Sequence, residues 1–232
     1  MRPARRLTLT DDVYETVRAQ VMDHVVAPGA RINIDALARD LRVSPTPVRE
    51  ALARLEADGL VRKRPLVGYT ATPLLTHDEF DELVEMRLIL ETAAARRAAA
   101  RRAAARRAAA RSATAEPAGL ELLRGAADLP GPVPGAQGYA SIAAFTAQDA
   151  RFHNLLAEQS GNRMLHDAVV RLRPHLHLFR LHFPPTHYRT SGAEHHRIVD
   201  AVASGDPDRA ETAVREHLLA ARQRHLSFFR QG

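Results

Sequence analysis

Asp149 and His153 lie four residues apart in Asp149-Ala150-Arg151-Phe152-His153, a spacing that on a helix points both side chains the same way and lets them share one ion. Phe145, Phe152 and Leu156 are the apolar positions around them. His195 stands ahead of Ile198, Val199 and Val202 at the head of another inward stripe. His217 follows Ala210, Ala213 and Val214 and precedes Ala221 on a third. One carboxylate and three neutral imidazoles, offered by three helices, are the ligands expected of a borderline divalent ion such as Zn²⁺, Mn²⁺ or Ni²⁺. Taken singly, each histidine reads as an ordinary core or surface residue, and spacing alone leaves the two readings level. His196 competes with His195, but the three-residue step to Ile198 favours His195. Ten of the twelve histidines fall between His153 and His225. Among them, His175, His177, His182 and His187 occupy an Arg- and Phe-rich stretch at spacings that form no ligand set on one helix. A solvated or interface role is expected for these four, with His177 the best placed to line a cavity.

The element that must carry the next candidate is a long helix opened by Thr76 and Glu79, a capping box. Phe80, Leu83, Val84, Arg87, Leu90 and Ala94 fall on one of its faces, so Arg87 and Glu91 sit on or beside the apolar stripe one turn apart. A charge there is costly unless paired or turned to a polar cavity. Two readings follow: a buried Arg–Glu pair, or a guanidinium awaiting an anionic ligand. The helix runs on into Ala93-Ala94-Ala95-Arg96-Arg97, repeated with a period of five to Arg111. Five residues advance about 140° around a helix, so the arginines make no single basic face, and a solvated helical extension is expected. Residues 112–140 are punctuated by Pro and Gly, with a short helix at Leu120–Ala127 and a mobile loop at Leu129–Gly135.

Upstream, Ile34, Leu37, Ala38 and Leu41 make the stripe of a short helix. Ser44 then caps a second helix with proline behind it, and Val48, Leu52 and Leu55 carry its stripe to Gly59. Two short helices joined by Arg42-Val43-Ser44 are a helix-turn-helix, whose second helix enters a DNA major groove. Leu60–Lys63 and Tyr69–Thr72 read as strands of a wing around Arg64-Pro65-Leu66-Val67-Gly68. An earlier helix with Val13, Val17, Val21 and Val25, ending at Pro28-Gly29, is expected to pack on this motif, and its Arg18 either reaches a phosphate backbone or is simply solvated. The expected organisation is a flexible basic arm (1–10), a winged domain (11–73), a linker (74–76) and a helical domain (77–232).

The formal net charge of +6 fits a polyanionic partner, but Lys63 is the only lysine, so an arginine-rich composition explains it equally well. There is no cysteine, hence no disulfide framework or thiolate metal site. No apolar run reaches the roughly 18–20 residues that span a bilayer. The basic start lacks an apolar stretch behind it, so no signal peptide is expected, and a cytoplasmic location is.

Gly29, Ile32, Leu37-Ala38, Leu41, Val43-Ser44, Pro47 to Leu52, Leu55, Gly59 to Val61 and Gly68 closely resemble the GntR family of bacterial transcription regulators. The resemblance implies that Arg49, with Ser44 and Thr46, faces DNA at the head of the recognition helix. Arg18, Arg64 and Gly68 complete the expected DNA-facing set. Pro45 and Leu66-Val67 depart from the family pattern, which bears on the operator sequence. Farther on, Arg87 to Glu91, Asp149 to Leu156, Ser160-Gly161-Asn162, Glu194 to Ile198, Gly205-Asp206 and His217-Leu218 look like the FCD effector domain of one GntR branch, an antiparallel helical bundle. That likeness implies a metal held by Asp149, His153, His195 and His217, and a small carboxylate effector bound by Arg87, with Arg173 as a further contact; His177, the histidine best placed to line a cavity, is added from the residues alone. The fold class expected is therefore mainly α, with a winged helix-turn-helix ahead of an FCD-type bundle. The implied protein is a homodimeric regulator reading an inverted-repeat operator in double-stranded DNA, with no membrane partner and no catalytic residues. A metal-dependent hydrolase is the rival reading, since such an ion could activate water; an architectural DNA-packing protein is a third, leaning on the Ala/Arg tract.

Overall fold

The computed structural model describes residues 9–112, 119–181 and 187–229, the side chains of 109–112 excepted. His182 and most of the basic arm lie outside these residues. The chain divides into two compact units, one comprising the residues up to Leu74 with Gln137–Ala140, the other the remainder from Leu75 onward.

In the first unit, helix α1 (Leu9–Met22) carries Asp11 and Asp12 in its first turn and buries Val13, Val17, Val21 and Met22. It ends before the expected Pro28-Gly29: His24 adopts a left-handed φ of 59° and Val25 is exposed. Strand β1 (Arg31–Ile32) has only two residues, too short to show a period. Helix α2 (Ile34–Leu41) begins at Asn33, whose side chain accepts from the Ala36 amide at 3.0 Å, and is closed by left-handed Arg42. Helix α3 (Pro45–Ala57) buries Val48, Ala51, Leu52 and Leu55 completely and packs on α1 and α2. It is followed by Gly59 at φ 82°, a conformation cheap for glycine alone. Strands β2 (Val61–Arg64) and β3 (Gly68–Ala71) pair antiparallel, with Arg64 opposite Gly68, and β1 adds to β3 to give the order β1-β3-β2. This is a helix-turn-helix with a wing.

Among its described residues the regular structure of the second unit is all helix, with 128–136 as an irregular connection. Helix α4 (His77–Ser112) starts with the reciprocal Thr76–Glu79 box, the Glu79 amide donating to Thr76 Oγ1 at 3.2 Å and the Thr76 amide to Glu79 Oε2 at 2.9 Å. After it come α5 (Gly119–Ala127), α6 (Gly138–Gln159), α7 (Arg163–Leu172), α8 (Pro174–Leu181), α9 (His187–Ser204) and α10 (Pro207–Phe229). Helix α4 packs against α7, α9 and α10.

The Ala/Arg tract is not merely a solvated extension. Ala95, Ala98 and Ala99 are buried in one core with Phe152, Leu156, Ile198, Val202, Val214 and Leu218. Alanine allows a close helix approach and loses no side-chain entropy on burial. The same closeness recurs at the α9–α10 turn, where Gly205 has φ 76° and a Cβ there would come 3.1 Å from the Cβ of Ala103. Arg96, Arg97, Arg101, Arg106 and Arg107 are exposed while Arg102 is half-buried, and Arg96 pairs with Asp208 and with Glu211. Leucine at Ala99 would overfill this core, so Ala99→Leu is expected to destabilise the protein by about 1–3 kcal/mol. Ala100→Leu, on the exposed side, should change stability by less than about 0.5 kcal/mol. Urea unfolding of the two variants checks the contrast.

Candidate metal centre and nucleic-acid interface

Three helices of the second unit bring three imidazoles together: His153 from α6, His195 from α9 and His217 from α10. Their ligand atoms all lie within 4.8 Å of one another, and all three residues are buried. Asp149, one turn before His153, places Oδ1 3.6 Å from His195 Nε2, beyond hydrogen-bond range. Phe152 holds the His195 ring by stacking, with centroids 3.8 Å apart and planes 7° from parallel. His195 is 0% exposed, and neither of its ring nitrogens has a hydrogen-bond partner. A buried polar atom left unsatisfied costs about 1–3 kcal/mol, which a cation at the centre of the cluster would relieve. The donor set of three imidazoles beside a carboxylate fits a divalent ion of the zinc–manganese–nickel type.

Two glutamates reach the far sides of these rings. Glu194 Oε2 accepts from His217 Nδ1 at 2.7 Å, and Arg224 grips the same carboxylate with two bonds of 2.8 Å. Glu91 Oε2 lies 2.7 Å from His153 Nδ1, while its other oxygen accepts from Arg87 Nε at 2.6 Å. Burial alone would raise both carboxyl pKa values. The neighbouring cations and hydrogen bonds outweigh it, holding Glu194 down at about 2 and Glu91 well below the usual carboxylate range. Burial pushes His195 well below the ordinary imidazole value, and a proton on His217 or His153, like the fixed charge of Arg87, would push it further. It also lowers His217, against the opposing pull of Glu194. Both rings therefore stay neutral, as metal ligation requires.

Arg87 forms the buried pair with Glu91 and also reaches a cavity. It is 5% exposed and paired with Glu91, yet its Nη2 also lies 3.3 Å from His153 Nε2 and it lines a cavity of about 30 Å³ with Asp149, His153 and His217. That space holds about two waters. Arg173, the left-handed residue ending α7, lines a smaller void of about 10 Å³ with Asp149 and His153. His177 is half-buried and lines neither cavity. His187 and His225 line the larger one instead. A cleft of about 210 Å³ between α4, α5, α6 and α9 carries no metal-ligating side chain. Glu194 and Arg224 escaped the sequence reading. Arg224 stands seven residues after His217, two turns along the same helical face, and that spacing was the available signal.

In the first unit, α3 presents Ser44, Thr46 and Arg49 exposed at its N-terminal end, while Pro47 and Val48 turn inward. The Ser44 hydroxyl makes no capping bond. Among the described residues, Arg49 has no ion pair or hydrogen bond. Arg62, Lys63 and Arg64 are exposed along β2, and Leu66 at the wing tip is fully exposed with φ 63°. Gly68 has φ 89° and no atom within 4 Å of a would-be Cβ. Arg18 is set differently, with a side chain only 20% exposed and paired to Glu15 at 3.6 Å. Among the described residues, no helix is long and apolar enough to cross a membrane.

Comparison with known proteins gives two matching family models. Residues 9–70 match bacterial regulatory proteins of the gntR family, and residues 82–220 match the FCD domain. An uncharacterised HTH-type transcriptional regulator in an unstable DNA locus of Streptomyces ambofaciens is 30% identical over 219 residues, 90% of this chain and 81% of that one. Another, from the TAR-I ttuE-ttuC' intergenic region of Agrobacterium vitis, is 40% identical over 84 residues, 36% of this chain and 48% of its own. Among solved structures, a transcriptional regulator from Rhodococcus sp. RHA1 superposes with a TM-score of 0.61 at 22% identity, covering 94% of this chain and 97% of the other.

The buried neutral imidazoles make metal-free protein sensitive to acid. His195 and His217 have folded pKa values below the usual 6.5, so below that pH the unfolded chain takes up protons that the folded one excludes. Stability should fall as pH drops through 6.5, by up to about 1.4 kcal/mol per pH unit for each excluded proton. Urea midpoints of chelated protein at pH 7.5 and 5.5 measure the fall, and His195→Phe should make it shallower.

Proposed function

Because the chain belongs to the gntR family of bacterial regulatory proteins and carries an FCD domain, we propose that this DNA-binding transcriptional regulator couples operator recognition to a metal-centred effector site. Family and relatives are regulators rather than enzymes, so the hydrolase reading is set aside. Ser44, Thr46 and Arg49 at the head of α3 are assigned to base and backbone contacts in the major groove. Arg64 and Gly68 of the wing flank the duplex, and Arg18 has at most a phosphate contact. Two copies of the chain would read the two halves of an inverted repeat.

The observation that carries the effector site is His195, fully buried without a hydrogen bond inside a cluster of three ligating histidines. With Asp149 these residues would hold one divalent ion, of the zinc, manganese or nickel kind. The ion would act as a Lewis acid toward a small carboxylate effector. Arg87 would supply a charge-assisted anchor from α4, the helix that directly follows residues 74–76, with Arg173 nearby. His177 has no support as an effector contact. A cavity of about 30 Å³ is too small for more than a few atoms, so admitting such a ligand must shift the lining helices. That movement is what effector binding could pass to the DNA-binding unit.

Arg49→Ala should weaken operator binding by about tenfold or more, since a bidentate guanine contact discriminates by roughly 1–3 kcal/mol. The exposed position leaves folding intact, and unchanged affinity in a titration of operator DNA would remove Arg49 from the interface. For the effector site, elemental analysis should find about one ion per chain in the native protein, and little in His153→Ala/His217→Ala. Calorimetric titration of small organic acids should then show binding that weakens both on chelation and in Arg87→Ala. An acid that binds all three forms equally well would place the effector elsewhere.

A further inference from the structure

The rings that converge on the candidate ion are not free to choose which nitrogen they present. Glu194 lies against Nδ1 of His217, and its carboxylate is held by the two-pronged grip of Arg224. An ionised carboxylate only accepts, so Nδ1 must carry the hydrogen and Nε2 the lone pair. The second ring reaches the same answer by an independent route. Arg87 Nη2 lies 3.3 Å from Nε2 of His153, and a guanidinium only donates, so Nε2 is again the lone-pair nitrogen. Its Nδ1 then carries the hydrogen, and Glu91 Oε2 lies 2.7 Å away as an ion-pair contact that is out of line for a full hydrogen bond. Glu91 and Glu194 are 1% and 5% exposed, positions where an ionised carboxylate is costly without strong partners. His195 lacks any such partner and is oriented by its stack on Phe152.

We propose that Glu91 and Glu194 are positioning residues for the metal centre, each fixing one histidine so that Nε2 of His153 and of His217 faces the ion. Arg87 and Arg224 anchor the two carboxylates in turn. The arrangement rests on the metal reading given above and deepens it. Carboxylates on the outer nitrogen of ligating histidines raise ligand basicity and lock ring orientation. Each glutamate is charge-matched by its own arginine, so the outer shell adds no net charge. A divalent ion beside Asp149 alone then keeps one positive charge, which suits an anionic ligand. Arg87 has two tasks on this account, holding Glu91 and facing the cavity.

The test uses the full-length protein and the metals themselves. Zn²⁺ and Mn²⁺ affinities are measured by competition with a chromophoric chelator for the native chain, Glu91→Gln, Glu194→Gln and the surface control Glu211→Gln. Each buried substitution should weaken binding by about 10- to 100-fold with the one-ion stoichiometry kept, and the control should not. Nitrogen-15 imidazole spectra of the metal-free native chain should show His153 and His217 each in a single tautomer protonated on Nδ1. Glu194→Gln should mix the tautomers of His217 while leaving those of His153 alone, a pattern that loss of packing would not produce. Native affinity in both folded glutamine variants, or a native His217 protonated on Nε2, overturns the proposal while leaving the metal reading intact. Failure of the native chain to bind either ion overturns both. If a variant does not fold, the native tautomer spectrum still decides.

Discussion

A helical core normally excludes ionisable groups, yet the second unit buries Arg87, Glu91, His153, Glu194, His195 and His217 together. The group survives because most of its members satisfy one another: Arg87 with Glu91, Glu91 with His153, Arg224 with Glu194, Glu194 with His217. Removing one partner would strand the other in a low-dielectric interior. His195 has two unbonded nitrogens, and His153 Nδ1 and Glu91 Oε2 touch without a well-formed hydrogen bond; there the network is incomplete as a purely structural device. Helices α4, α6, α9 and α10 all contribute to the group, so their packing and this network depend on each other.

The small residues of α4 make that packing possible. Alanines 95, 98 and 99 allow α4 to lie close to its neighbours, while Arg87 and Glu91, two turns earlier, enter the polar cluster. One continuous helix thus has a polar functional segment, an apolar segment of minimal side-chain volume, and arginines that leave toward solvent. Surface pairs such as Arg96 with Glu211 contribute little to stability; the alanine face is the part that matters.

The first unit shows the opposite economy. Its core is mostly Val, Leu and Ala, with Met22, Ile32 and Tyr69 and little polar content beyond Thr70 and Thr72, and Ser44, Thr46, Arg49 and the wing's basic side chains are left exposed. Ser44 does not spend its hydroxyl on the helix it starts, and Arg49 pairs with nothing among the described residues. A surface that keeps donors unspent at a helix N-terminus suits a polyanion.

Much of this was legible in one dimension, because local rules wrote it there. The stripes Ile34–Leu41 and Val48–Leu55, the Thr76–Glu79 box and Gly59 fixed helices and turns through spacing and backbone preference, which need only near neighbours. The Asp149–His153 spacing and the inward stripes ahead of and behind His195 and His217 named the candidate ligands for the same reason. What depended on distant residues was not legible. Strand β1 exists only because β3 pairs with it, and α1 stops at Met22 because the chain turns at His24, despite an apolar period reaching Val25. The Ala/Arg period described a helix but not that its alanines meet Ile198 and Val214. Sequence favoured His177 as the cavity-lining histidine, whereas packing put His187 and His225 beside the cavity. Glu194 and Arg224 lie thirty residues apart and became one ion pair only when α9 met α10. Side-chain type and period are properties of a segment, whereas a partner is a property of the space between segments, and only folding creates that space.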